Sequence, residues 1–155
     1  MNKAARTIQY IITTSNRNDV YELLYNALNY AVKFSLKILR KKTSKYDYAY
    51  IHFKETDMPG HDNKPLEKRK MIELLDEKFF SELKKLALKK KIRVVVAADH
   101  STPCKLKEHS SDPVPVLAFD NKNRAKKRFT ENDCKNGELG KIYGKEFLKK
   151  IGFVK

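Results

Sequence analysis

The chain has 155 residues, with 34 Lys and Arg against 19 Asp and Glu, a formal charge of +15, and 41% of its residues are hydrophobic. That supports one cored domain rather than two, while eight Phe, eight Tyr and the run Val94-Val95-Val96-Ala97-Ala98 argue against disorder. No apolar stretch approaches the roughly 18 residues that a membrane helix needs, and Met1-Asn2-Lys3 leads into no signal-peptide core, so a cytoplasmic protein without membrane contact is expected.

Between positions 19 and 42, Val20, Leu23, Leu24, Ala27, Leu28, Ala31, Val32, Leu36 and Leu39 recur at the three-and-four spacing of one helical face. Asp19 followed by Glu22 predicts a capping box at its start. From Tyr46 to Phe53 the pattern alternates, with Ala49, Ile51 and Phe53 on one side and Tyr48, Tyr50 and His52 on the other, which predicts a strand. The stretch from Lys54 to Lys64 has loop chemistry. Pro65 then opens a second helix running to about Lys90 through Leu66, Ile72, Leu75, Phe79, Leu83 and Leu86. Ile92 to Ala98 reads as a strand buried on both faces, and Val114 to Phe119 as a further strand, with Pro115 favouring an edge.

The remainder, 120–155, is a basic tail with helical signals near Glu138 to Tyr143 and Lys145 to Lys150. The alternation of elements predicts an α/β fold, a sheet of mainly parallel strands flanked by helices. In such sheets sites gather at the carboxyl ends of strands, which points to the loops after Phe53 and after Ala98.

Lys supplies 27 of the 34 cations and Arg only 7, whereas nucleic-acid recognition favours the forked guanidinium. Arg40-Lys41-Lys42 and Lys89-Lys90-Lys91 stand where helices end and complement the helix dipole. A solvated Lys-rich surface is therefore favoured over a nucleic-acid site, and a basic face docking an acidic protein chain stays open. Cys104 and Cys134 lie 30 positions apart with no Cys-x-x-Cys, so reduced thiols are expected.

Three of the four histidines fall in the two flagged loops beside carboxylates: Asp57 with His61, the pair Asp99-His100, and His109. Singly, each has a bland reading as a turn cap or a solvated imidazole, and His52 in its predicted strand receives that reading. Together, imidazole nitrogens and carboxylate oxygens suit Zn²⁺ or Mn²⁺, with Mg²⁺ and Co²⁺ also open. Five such groups exceed the needs of one tetrahedral ion, so two divalent metal ions are expected.

The string Tyr50-Ile51-His52-Phe53-Lys54-Glu55-Thr56-Asp57-Met58-Pro59-Gly60-His61-Asp62, with Ala98-Asp99-His100-Ser101-Thr102-Pro103 and His109-Ser110-Ser111-Asp112-Pro113-Val114-Pro115, resembles a known family. It is similar to the carboxy-terminal part of the archaeal-type 2,3-bisphosphoglycerate-independent phosphoglycerate mutases, within the alkaline phosphatase superfamily. The segment Cys134-Lys135-Asn136-Gly137-Glu138-Leu139-Gly140-Lys141-Ile142 resembles the close of the same proteins. The resemblance implies that Asp57, His61 and His109 bind one ion while Asp99 and His100 contribute to a second. It also implies interconversion of 2- and 3-phosphoglycerate through a phosphoserine, with 1–155 as a single metal-binding carboxy-terminal portion.

In that family an aspartate from an early Asp-Gly motif and a nucleophilic serine complete the second ion. This chain has no Asp-Gly dipeptide; its five glycines are Gly60, Gly137, Gly140, Gly144 and Gly152. No catalytic nucleophile is therefore expected here. Ser101, Thr102, Ser110 and Ser111 shape loops in the family rather than accept phosphoryl. The expectation is half of an enzyme, a split-gene subunit, a truncation or a decayed copy, inactive alone and needing a complementary amino-terminal half. Two alternatives stand beside it: part of another alkaline-phosphatase-superfamily phosphatase or phosphotransferase, and a non-catalytic basic binding protein.

Overall fold

The structure, a computed structural model, describes residues 17–42, 46–120 and 128–154. A 26-residue helix, α1 (Arg17–Lys42), opens it. The helix begins at Arg17, ahead of Asp19. Side chains before Val20 lie outside the described residues, and the capping box with them.

The second long helix is three segments in line: α3 (Pro65–Leu74), a π-helical stretch (Leu75–Phe80) and α4 (Ser81–Lys90). A one-turn helix, α2 (Met58–His61), precedes it inside what the sequence presents as loop. The π stretch has a reason in the spacing of the buried residues. Leu75, Phe79, Leu83 and Ala87 recur every fourth position, and each four-residue step overshoots an α-helical turn by about 40°. A wider turn takes up that drift and keeps the row against α1.

The core is the seam between these helices. Leu24, Leu28, Val32, Leu36 and Leu39 of α1 pack against Met71, Leu74, Leu75, Phe79 and Leu83. Arg40 Nη2 reaches Glu82 Oε2 at 2.8 Å and ties the end of α1 to the start of α4. Ile51, Phe53 and Val94 lie against the seam from the sheet side, with Phe53 edge-on to Phe79 at 4.9 Å. α4 ends on Lys91 in the left-handed conformation (φ +53°), with the Ile92 amide donating to the Ala87 carbonyl.

The sheet corrects the expected topology. Among the described residues it has two strands, β1 (Val94–Ala97) and β2 (Val116–Phe119), which pair antiparallel, with Val94 opposite Phe119 and Ala97 opposite Val116. A parallel pair needs a crossover, usually a helix. Here the connection doubles back on itself through an antiparallel bridge between Ser101 and Ser110, which brings β2 home in the opposite direction. Tyr46 to Phe53 enters no ladder among the described residues. Nor is β1 buried on both faces, since Val94, Val95 and Val96 are half-buried and Ala97 is exposed.

In the tail, α5 (Glu131–Cys134) starts at Thr130, whose hydroxyl accepts from the Asp133 amide. A 3-10 turn (Gly144–Glu146) leads into α6 (Phe147–Lys150), close to the expected helix, whereas Glu138 to Tyr143 forms turns. Arg93 donates to the carbonyls of Ile151 at 3.0 Å and Gly152 at 3.3 Å, fastening this tail to the start of β1. Among the described residues no helix is long and apolar enough to cross a membrane.

Candidate metal centre

Asp57 stands at the head of α2, and His61 follows one turn later on the same face. The short helix is held by bonds from the Gly60 and His61 amides to the Asp57 carbonyl. Gly60 allows it to lie flat against the next loop, because a Cβ there would stand 2.6 Å from the Thr102 carbonyl oxygen and 2.9 Å from its methyl. His109 arrives from the far side of the Ser101–Ser110 bridge, where the Ser110 amide donates to the Ser101 carbonyl at 2.9 Å.

These elements bring three ligand atoms together. His61 Nε2 and His109 Nε2 are 3.1 Å apart, and Asp57 Oδ1 lies 3.5 Å from the first and 3.7 Å from the second. A tetrahedral ion with bonds of about 2.0–2.1 Å separates its ligands by about 3.3–3.4 Å, so the triangle has the right edge lengths. The nitrogens also offer the right electrons. His61 Nδ1 lies 3.0 Å from the Lys107 carbonyl, which can only accept, so the ring proton sits on Nδ1 and Nε2 presents a lone pair. Lys107 is turned toward His61 by its own left-handed backbone (φ +59°) at the end of the Pro103–Lys107 turn.

Asp99 and His100 stand beside this group rather than within it. The His100 ring stacks on His109 with centroids 3.7 Å apart, and His100 Nε2 lies 3.6 Å from Asp99 Oδ2. His52, which reads as a solvated strand residue in the sequence, turns its Nε2 to within 3.9 Å of the same oxygen. All five expected residues thus share one corner of the molecule. Three form a tight group, and two form an adjoining carboxylate–imidazole pair.

Thr102 joins the two. Its hydroxyl donates to Asp57 Oδ1 at 2.7 Å and lies 3.1 Å from His100 Nδ1. Burial alone would push the Asp57 carboxyl up. The Thr102 hydrogen bond and the neighbouring His61, His100 and His109 reverse this and hold it below the ordinary 3.8, keeping the carboxylate charged. Sequence reading places Thr102 in the motif but gives no sign of this contact, which spans 45 residues.

Known proteins resemble this chain. Residues 9–155 match the Metalloenzyme superfamily. The 2,3-bisphosphoglycerate-independent phosphoglycerate mutase of Pyrococcus abyssi is 39% identical over 105 residues, covering 66% of this chain and 25% of that protein. The probable enzyme of the same name from Deinococcus radiodurans is 40% identical over 120 residues, 76% of this chain and 28% of that one. The solved structure of the PH0037 protein from Pyrococcus horikoshii superposes with a TM-score of 0.69 at 33% identity, covering 84% of this chain and 40% of that chain. The chain therefore spans about a quarter of the length of these curated mutases. With its Asp, His and His ligand atoms converging and its match running nearly end to end, this chain belongs to the Metalloenzyme superfamily.

Proposed function

We propose that this chain is the metal-binding carboxy-terminal portion of a cofactor-independent phosphoglycerate mutase, interconverting 2- and 3-phosphoglycerate. The observation that carries the reading is the convergence of Asp57, His61 and His109, with Asp99 and His100 alongside, in a chain 38–40% identical to proteins of that name. Asp57, His61 and His109 hold one divalent ion, and Asp99 and His100 serve a second. Ions of the Mn²⁺ or Zn²⁺ kind there supply charge neutralisation for a transferring phosphoryl group and lower the pKa of a hydroxyl nucleophile.

The chain's own residues perform defined tasks in this reading. Lys107, through its carbonyl, fixes the His61 ring with its Nε2 lone pair inward. Thr102 keeps Asp57 charged and aimed. The phosphoryl group of a phosphoglycerate passes to a serine and returns to the other glycerate hydroxyl, both serine and the remaining aspartate coming from sequence outside these 155 residues.

A complementary amino-terminal segment is the proposed partner. Among the described residues β1 is paired along one edge only, leaving the other open to a further strand, and Tyr48 and Tyr50, outside the sheet, are 63% and 66% exposed. A net charge of +15 favours an acidic complement.

Two measurements test the reading. Metal analysis of the purified chain should find a transition metal. Mixing with a separately produced amino-terminal mutase segment should give 3-phosphoglycerate to 2-phosphoglycerate conversion above either piece alone. Release of inorganic phosphate instead would favour a phosphatase of the same superfamily, and salt-sensitive nucleic-acid binding without metal would favour a binding protein.

A further inference from the structure

We propose that Thr102 is a positioning residue that locks His100 in the tautomer offering Nε2 to a cation, and at the same time fixes Asp57, so that one hydroxyl aligns both ligand groups. The inference rests on the metal reading above for its use, but its geometry stands without a metal.

A threonine hydroxyl has a single hydrogen and two lone pairs. Asp57 Oδ1, at 2.7 Å, is an ionised carboxylate oxygen and can only accept, so the hydrogen is committed there. His100 Nδ1, at 3.1 Å from the same oxygen, then meets lone pairs and must donate. Neutral His100 therefore carries its proton on Nδ1 and leaves the lone pair on Nε2, the nitrogen beside Asp99 Oδ2 at 3.6 Å.

Thr102 is built to hold still while doing this. It is 4% exposed, the one buried polar residue among those described. Lys68 Nζ donates to its carbonyl at 2.7 Å, and the Cβ-free face of Gly60 packs against its carbonyl and methyl. A packing role would require the methyl; a positioning role requires the hydroxyl.

Thr102→Val keeps the shape and removes the hydroxyl, while Thr102→Ser does the reverse. Nitrogen-15 NMR of the metal-free chain at about pH 8, where imidazoles are neutral, should show His100 protonated on Nδ1 in the wild type and Thr102→Ser, and shifted toward the Nε2–H form in Thr102→Val. Calorimetric titration with Zn²⁺ should show affinity reduced about 10- to 100-fold in Thr102→Val and within about threefold in Thr102→Ser. Wild-type His100 protonated on Nε2 overturns the proposal, as does equal impairment of both variants. The wild-type spectrum decides even where Thr102→Val does not fold. A wild-type chain with the expected tautomer that binds no Zn²⁺ would sink the metal reading and leave the assignment of Thr102 intact.

Discussion

His61 and His109, 48 residues apart in the chain, aim their Nε2 atoms at each other across 3.1 Å. Two lone pairs do not face one another at that distance without a proton or a cation between them. A divalent cation between the rings would satisfy both nitrogens, and its binding would compete with protons for them. Zn²⁺ titrations in buffers of different ionisation enthalpy should reveal proton release on binding. His109→Gln or Asp57→Asn should weaken Zn²⁺ roughly 100-fold or more, beyond what loss of a supporting contact costs. Binding unchanged in either variant would place the ion elsewhere.

Gly60→Ala isolates the close approach of α2 to Thr102. In an ordinary helix this change helps by up to about 1 kcal/mol. Here the added Cβ meets the Thr102 carbonyl at 2.6 Å, so the sign should invert, with a loss of about 1–3 kcal/mol in urea unfolding. Zn²⁺ affinity should fall together with stability. A stabilised variant would mean that the loop yields freely.

Lys91→Gly should stabilise the chain. Lys91 holds a left-handed conformation at the end of α4 and is exposed, where a side chain brings backbone strain of roughly 1–2 kcal/mol and glycine brings none. Allowing for glycine's greater freedom when unfolded, a gain of about 0.5–1 kcal/mol is expected by denaturant titration.

Glu82 supplies a pH test. The hydrogen bond from Lys85, its charge and then Arg40 hold the Glu82 carboxyl below the usual 4.5. A carboxylate with a lowered folded pKa stabilises above its unfolded pKa, and that contribution disappears as pH falls through the folded value. Glu82→Gln should therefore melt slightly below the wild type at pH 7, with the difference closing as pH falls through the lowered Glu82 pKa. Added salt should narrow the gap at neutral pH, because the group is at the surface.

The long helices were legible in the sequence because their apolar stripes are local. Leu24, Leu28 and Val32 on one side and Leu75, Phe79 and Leu83 on the other are the positions that meet in the core. The residues of the candidate site, Asp57, His61, Asp99, His100 and His109, stood out in the sequence as a cluster of types and through their motifs. Strand direction was not, because it depends on where the loop between β1 and β2 turns, and the Ser101–Ser110 bridge that decides this carries no periodic signal. The alternation from Tyr46 to Phe53 is a real period-two pattern, and it sets Ile51 and Phe53 against the core while Tyr48, Tyr50 and His52 face out. A ladder also needs a neighbouring backbone, which the pattern cannot supply. The contacts of Thr102 were not legible for a related reason: those from Thr102 to Asp57 and from Lys68 to Thr102 are made across 45 and 34 residues by side chains common on any surface.

The clasp between Arg93 and the carbonyls of Ile151 and Gly152 gives the carboxy-terminal tail leverage over the corner that holds the candidate metal site. Arg93 immediately precedes β1, and two residues past the other end of that strand stands Asp99. Gly152, at φ +73°, lets the guanidinium approach where any Cβ would intrude at 2.7 Å. Exopeptidase trimming past Ile151, or a purification tag that drags on those last turns, would slacken the strand that carries Asp99 and His100 while sparing the Asp57 triangle.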